Sequence, residues 1–505
     1  MKNKKMIAGL IMISLFSFSL FGCRSNTQQQ ENAVTEEEES EADEIHEEVE
    51  AETEAEEASL VDACIVTEVL DWGETVTALR LEYSEEIWSG AIEYAADSPA
   101  KLTYSLVNDR DITHLYVNNS GKKDDVQVTG KYVFINLGLA DEDQLTYRDQ
   151  IVFNQASVTR PALSHFYLFQ NEEIETVNGN IIPALGCIEI SNEIRIGIDD
   201  FKTFTYTNEE NDTFLNYHLY IPEGYDTKGD SLEDLPLVVH FPASDFGYED
   251  DGRYLGALFT HPEVLYWTTE EAQREHPAFV VTVGGIANRE FNNVFTTEES
   301  AMLDNYLTII RQITEDYNVD TSRIYAFSIS AGTNPMYYSI LQHPNLFAAQ
   351  ITVSMDTYQM FKDFDEIRTL GEEKLDEVLN TVPSWLFAGL TDATGAGLLG
   401  EDDTRMKGER LRDLGIIMNE KGHNIDIGYG EQGELMWNGL LRGEEAEAQA
   451  DEQLARAAEN GSESLITLYI PGTIKPSMHW AWNPTYSNAS VRDWMFSHVN
   501  ENPGF

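Results

Sequence analysis

The residues best suited to chemistry in this 505-residue chain lie in Arg323-Ile-Tyr-Ala-Phe-Ser-Ile-Ser-Ala-Gly-Thr-Asn334. An apolar, strand-forming run (Arg323 to Phe327) meets a turn of small residues, Ser328-Ile-Ser-Ala-Gly332, and then a helix-compatible run, Pro335 to Gln342. Strand, tight turn and helix are what a nucleophile elbow needs. The turn lifts the Ser330 hydroxyl above the sheet, and the helix N-terminus beneath it favours developing negative charge. The pattern is S-x-S-x-G, so Ser328 stands where a first glycine is usual. A serine nucleophile also needs a base and an orienting acid, each just past a strand end. Two aspartates fit: Asp392, after Pro383-Ser-Trp-Leu-Phe-Ala-Gly-Leu-Thr, is preferred, and Asp356, after Val353-Ser-Met355, is the runner-up. Of the C-terminal histidines, His423 follows a helix end and is expected to be exposed, and His498 sits in the final helix near the terminus. His479, in the loop Ser477-Met-His-Trp-Ala-Trp482 after the last strand, is placed where the base belongs.

These residues need a scaffold, and from about residue 196 the sequence predicts one. Phe204 to Tyr206, Phe214 to Ile221, Leu235 to Phe241, Ala278 to Val283, Ala348 to Met355, Trp385 to Ala388, Ile425 to Tyr429 and Leu465 to Ile470 read as strands. Ser300 to Tyr317 and Arg405 to Lys421 read as helices, the first with Leu303, Leu307, Ile310 and Ile313 at helical spacing. Strands alternating with helices imply an α/β fold, a mostly parallel sheet with helices on both faces. Residues 431–464 read as an insertion, either a lid or a surface excursion, with the excursion preferred and a polar helix over Glu444 to Glu459.

Residues 60–195 read as an all-β sandwich of immunoglobulin type. Ala63 to Leu70, Glu74 to Tyr83, Leu102 to Val107, Ile112 to Asn118 and Lys131 to Leu137 are short strands separated by turn-rich stretches. No motif here has catalytic spacing, and His114 and His165 are lone. Cys64 and Cys187 could pair, though separate thiols are preferred. No metal-ligand cluster stands out, and no cofactor is expected.

Residues 1–23 form a targeting segment: Lys2, Lys4 and Lys5, then an apolar run from Met6 to Phe21, then Gly22-Cys23. The ending Leu20-Phe-Gly-Cys23 resembles the bacterial lipoprotein signal, which implies lipidation of Cys23 and a membrane anchor outside the cytoplasm. An ordinary signal peptide or an uncleaved anchor are the alternatives. Residues 24–59 follow as an acidic tether: from Glu31 to Glu57 there is no Lys, Arg or aromatic residue, so no core can form. The whole chain carries a formal charge of −57, and beyond residue 59 there remain 74 acidic against 28 basic residues. Such a surface excludes a nucleic-acid partner.

Residues 196–505 resemble the poly(3-hydroxybutyrate)-depolymerase-like and feruloyl-esterase-like branch of the α/β-hydrolase superfamily. The resemblance is carried by Tyr217-His-Leu-Tyr-Ile-Pro-Glu-Gly-Tyr-Asp226, Leu235-Pro-Leu-Val-Val239, Tyr317-Asn-Val-Asp320 with Arg323-Ile-Tyr325, Gly389-Leu-Thr-Asp392, and His479-x-x-Trp482 with Asn483-Pro-x-Tyr486 and Asp493-Trp494. Arg110-Asp-Ile-Thr113, Tyr116-Val-Asn118 and Gly130-Lys-Tyr-Val133 resemble the immunoglobulin-like domain that precedes some members. The resemblance implies a surface-tethered serine hydrolase acting on esters rather than peptides through an acyl-enzyme, with Ser330, Asp392 and His479 as the triad. The substrate would be a small or polymer-linked ester. Members of this branch usually carry His-Gly after the third strand, where this chain has His240-Phe-Pro-Ala-Ser244. Pro242 has no amide proton, so the expected oxyanion donors are the amides of Ala331 and of Ala243 or Ser244. The alternative is a non-catalytic binding or scaffold protein on a decayed hydrolase fold.

Overall fold

The computed structural model describes residues 57–92, 103–106, 110–139, 166–209, 213–243, 258, 261–283, 301–355, 366–393, 405–475 and 477–504. Cys23, Ser244, Asp356 and His165 lie outside them.

The N-terminal strands are β1 (Leu60–Leu70), β2 (Gly73–Trp88), β3 (Tyr104–Leu106), β4 (Ile112–Asn118), β5 (Thr129–Leu137), β6 (Phe166–Gln170), β7 (Ile174–Glu175), β8 (Ile181–Ile182), β9 (Cys187–Ile190) and β10 (Asn192–Arg195). One sheet runs β10-β1-β2-β5-β4 and another β3-β6-β9. Ile65, Leu79, Leu81, Val133 and Ile135 of the first share one core with Tyr104, Phe166, Leu168 and Ile190 of the second. The arrangement is a sandwich, with strand alternation sending every second side chain inward. The buried Tyr83 hydroxyl crosses it, donating to Gln170 Oε1 at 2.8 Å. Cys64 and Cys187 are not joined in a disulfide. Burial pushes the Cys64 thiol up to about 11, so it stays protonated at neutral pH.

The larger part contains β11 (Phe201–Asn208), β12 (Thr213–Tyr220), β13 (Leu235–Phe241), β14 (Phe279–Val283), β15 (Val319–Ile329), β16 (Ala349–Val353), β17 (Ser384–Gly389), β18 (Ile425–Gly428) and β19 (Ser464–Tyr469). Its helices are α1 (Glu270–Glu275), α2 (Ala301–Asp316), α3 (Thr333–Gln342), α4 (Glu366–Thr381), α5 (Lys407–Glu420), α6 (Glu444–Asn460), α7 (Trp482–Tyr486) and α8 (Ala489–Phe496). Among the described residues, nine strands form one sheet in the order β11-β12-β14-β13-β15-β16-β17-β19-β18. The first two junctions are antiparallel and the rest parallel. The central strands are continuous apolar runs because both faces are covered. Leu237, Val239 and Phe241 pack on the side of α2, α3 and α5. Val238, Tyr325, Phe327 and Trp385 pack on the side of α6, α7 and α8.

Residues 431–464, read as an insertion, carry the expected helix over Glu444–Asn460. β18 and β19 are parallel neighbours, so the chain must cross over between them, and α6 is that crossover. Ala446, Ala450, Gln453 and Ala457 form its buried face. Gln453 donates to Asp426 Oδ2 and the Ile466 carbonyl and accepts from Thr467. Gly461, in the left-handed region at φ 67°, ends the helix.

Within the sandwich, at its end nearest the larger part in sequence, the Arg195 guanidinium of β10 grips Glu74 of β2 with bonds of 2.8 and 2.9 Å, both side chains being buried. The two parts meet through polar contacts. At the β1–β2 turn the Asp71 carbonyl accepts from Asn483 Nδ2 at 3.0 Å, and its carboxylate pairs with Arg442 at 3.2 Å.

Candidate active site

Strand β15 delivers Ser330. Ile329 is still extended at φ −124°, and the chain then turns sharply through Ser330–Gly332 into α3. Ser330 has φ +49°, a left-handed conformation that costs a non-glycine residue about 1 kcal/mol or more. Gly332 has no room for a side chain: a Cβ there would lie 2.0 Å from the Phe241 carbonyl oxygen. The loop after β13 therefore lies directly over the turn. Ala243, two residues past Phe241, and Ala331 are both almost fully buried. Ser328 is buried beneath the turn, its hydroxyl 3.4 Å from that of Thr333, while its carbonyl accepts from Tyr486 at 2.9 Å.

His479 follows β19, and its loop brings the ring over Ser330. The Ser330 hydroxyl lies 3.2 Å from Nε2 and can donate to it. The other ring nitrogen, Nδ1, donates to Asp392 Oδ2 at 2.7 Å. Asp392 is 1% exposed. Its turn after β17 is fixed by its own amide, which donates to Gly389, and by its carbonyl, which accepts from Lys407. Gly389 is needed for the approach of the histidine loop, since a Cβ would lie 2.3 Å from the Met478 carbonyl oxygen. Trp482 stands edge-on to the His479 ring at 5.2 Å and limits its swing.

The structure thus brings Ser330, His479 and Asp392 into one hydrogen-bonded line. Asp356 and Ser244 lie outside the described residues. The other histidines have different surroundings. His423 is not exposed as expected: its Nε2 meets Asp376 on α4 at 2.5 Å, and the side chain is largely covered. His498 lies just past α8 and donates from Nδ1 to the Trp494 carbonyl at 2.8 Å. Among the described residues no group of three or more His, Cys, Asp or Glu could hold a metal ion.

Two buried histidines, His240 and His261, have no role assigned from the sequence. His240, at the end of β13, bonds Thr282 at 2.8 Å through Nδ1. His261 packs against Trp480 and Trp482, beneath the His479 loop. Burial lowers both from 6.5 to about 3, helped by repulsion from His261 on His240 and from His479 on His261. Glu263 stands 3.8 Å from His240 Nε2, beyond hydrogen-bond reach. The unfolded chain binds these protons near pH 6.5 and the folded chain does not until about 3. Each histidine therefore withdraws ~1.4 kcal/mol of stability per pH unit as pH falls through that window. Unfolding midpoints should drop on acidification from about pH 6.5, and His240→Asn or His261→Asn should each flatten the slope. An unchanged slope in both variants would show that other groups dominate.

Residues 62–183 match the family model of the esterase Ig-like N-terminal domain. A solved thermostable esterase aligns over all of its own chain and 88% of this one, with TM-score 0.60 and 23% identity. An S-formylglutathione hydrolase from Staphylococcus aureus covers 59% of this chain and 96% of its own, at 12% identity and TM-score 0.33. A ferulic acid esterase from Anaeromyces mucronatus covers 58% and 90%, also at 12% identity and TM-score 0.33. No curated protein matches the sequence. The strand order and the thermostable esterase together make the larger part an α/β-hydrolase fold, and the N-terminal sandwich is Ig-like.

Proposed function

We propose that this protein is a serine esterase that hydrolyses acyl esters through an acyl-enzyme. The observation that carries the reading is the line Ser330 Oγ, His479 Nε2, His479 Nδ1, Asp392 Oδ2, with the serine in a strained turn at a helix start. His479 takes the Ser330 proton as Oγ attacks the ester carbonyl, and a tetrahedral oxyanion forms. Amides of Ala331 and of Ala243 or Ser244 receive that charge. The imidazolium, held by Asp392, then protonates the leaving alcohol. Water attacks the acyl-Ser330 carbonyl while His479 removes its proton, and the acid is released with Ser330 restored.

The substrate is an ester, small or polymer-linked. Incubation with a fluorophosphonate probe, followed by peptide mapping, should give a single adduct on the Ser330 peptide. Absence of both labelling and hydrolysis of p-nitrophenyl butyrate would leave the second reading, a non-catalytic scaffold on this fold. That reading draws support from Pro242, which removes one amide from the oxyanion loop and stands where losing a donor costs ~100-fold or more in turnover.

The proposal includes a place for the enzyme. Lys2 to Cys23 supports export and lipidation at Cys23, with residues 24–59 as spacer between membrane and enzyme. Cys23→Ser should shift the protein to the soluble fraction or leave it unprocessed. A mature N-terminus at an unmodified residue other than Cys23, read by mass spectrometry, would rule lipidation out.

A further inference from the structure

Ser330 is not the only strained serine at this end of the sheet. Among the described residues, three other than glycine have positive φ: Asp124, Ser330 and Ser354. Asp124 lies in a turn of the sandwich, where aspartate tolerates this backbone. Ser354 has φ +50°, almost the value of Ser330. The match follows from the register. Ile329 of β15 pairs with Val353 of β16, so Ser330 and Ser354 leave the sheet side by side.

Glycine would take this backbone without the Cβ penalty. The hydroxyl of Ser354 therefore has something to offset. It is fully buried and donates to the main-chain carbonyl of His479 at 2.7 Å. The Ser354 amide donates to the Phe387 carbonyl of β17 at 2.8 Å. Phe387 is five residues before Asp392 on the same strand and loop. One residue thus joins the strand that leads to the acid, the strand beside the nucleophile and the backbone of the base.

We propose that Ser354 is a positioning residue, holding the His479 peptide so that its ring bridges Asp392 and Ser330. The inference rests on the esterase reading for its kinetic consequence, but its geometric claim stands apart from turnover. The ring hangs from a backbone that Ser354 fixes at one point. Without that bond the peptide is free to shift, and a displacement of about 1 Å at a catalytic group can cost ~100-fold. A single hydroxyl–carbonyl bond lost among several restraints gives a smaller effect, about tenfold in kcat. Substrate binding does not depend on it, so KM should stay within about twofold.

The test uses Ser354→Gly, which keeps the backbone conformation and removes the hydroxyl, with Ser354→Ala as a second variant that keeps Cβ. Both should show kcat for p-nitrophenyl butyrate lowered about tenfold with an unchanged unfolding midpoint for the glycine variant. In an Asp392→Asn background the same change should cost less than about twofold, because the geometry that Ser354 serves is already lost. The low-field proton resonance of His479 Nδ1, read by NMR, should shift or broaden in Ser354→Gly. A merely structural role would cost equally in both backgrounds and leave the resonance in place. Full kcat with an unaltered resonance in folded Ser354→Gly would overturn the proposal. If the wild-type protein neither turns over esters nor reacts with the fluorophosphonate probe, the esterase reading fails, and the resonance alone then decides whether Ser354 positions His479.

Discussion

Ser330→Ala is expected to abolish hydrolysis of short acyl esters, and Ser328→Ala to leave most of it. The two hydroxyls are only two residues apart, but the turn separates their surroundings. Ser330 Oγ reaches His479 Nε2 at 3.2 Å. Ser328 is buried under the turn, its hydroxyl beside Thr333. The Tyr486 hydroxyl holds Ser328 through its carbonyl, which alanine retains. Removing a nucleophile whose loss leaves only binding and the oxyanion hole costs roughly 10⁴- to 10⁶-fold in turnover. Removing the Ser328 hydroxyl loses at most one long contact of 3.4 Å. Turnover with p-nitrophenyl butyrate and labelling by the fluorophosphonate probe check both variants. Full labelling of the Ser330→Ala protein would transfer the nucleophile to another serine. Because alanine at φ +49° is about as strained as serine, loss of activity in that variant does not come with a new backbone cost.

What the sequence made legible follows from how each signal is written. The strand and turn around Ser330 can be read because an apolar run stops abruptly at small residues. The sheet can be read because strands covered on both faces are unbroken apolar runs. Strand-end rules fit both Asp392 and Asp356, since each follows a strand of the same kind, and the resemblance at Gly389-Leu-Thr-Asp392 favours Asp392. Only the approach of a loop from 87 residues away gives Asp392 a histidine partner. The role of Ser354 left no trace in Val353-Ser-Met355, because positive φ is invisible where glycine is absent. The helix α6 is legible, but its buried face is not, because that face is alanine and glutamine, which looks solvated until Gln453 finds its partners in β18 and β19. His423 reads as exposed in the sequence because its partner, Asp376, sits 47 residues away on α4, a Glu-rich helix. Strands β6 to β10 went unrecognised because each is only two to five residues long.

Asp392→Asn is expected to leave a folded protein with turnover lowered by ~10⁴-fold and KM nearly unchanged. The carboxylate accepts the Nδ1 proton of His479 and so fixes the tautomer that presents a bare Nε2 to Ser330. An asparagine can turn its amide nitrogen to that place and favour the opposite tautomer, and it carries no charge to stabilise the imidazolium. The fold should survive, because the bonds that shape the turn run through the main chain of residue 392, donating to Gly389 and accepting from Lys407. Burial at 1% exposure makes circular dichroism the necessary first measurement, since a buried aspartate can also be structural. Asp356→Asn is the control. Asp356 follows β16 in the sequence, and its Asn variant is expected to keep most turnover, with any loss falling on binding. A dead Asp356→Asn beside a fully active, folded Asp392→Asn would place the acid after the earlier strand. It would also mean that the 2.7 Å contact between Asp392 and His479 is not the one used in turnover. Wild-type turnover in both variants would remove the orienting acid from the mechanism altogether. The Ser330–His479 pair would then have to work unaided, and the scaffold reading raised by Pro242 would account better for so incomplete a site.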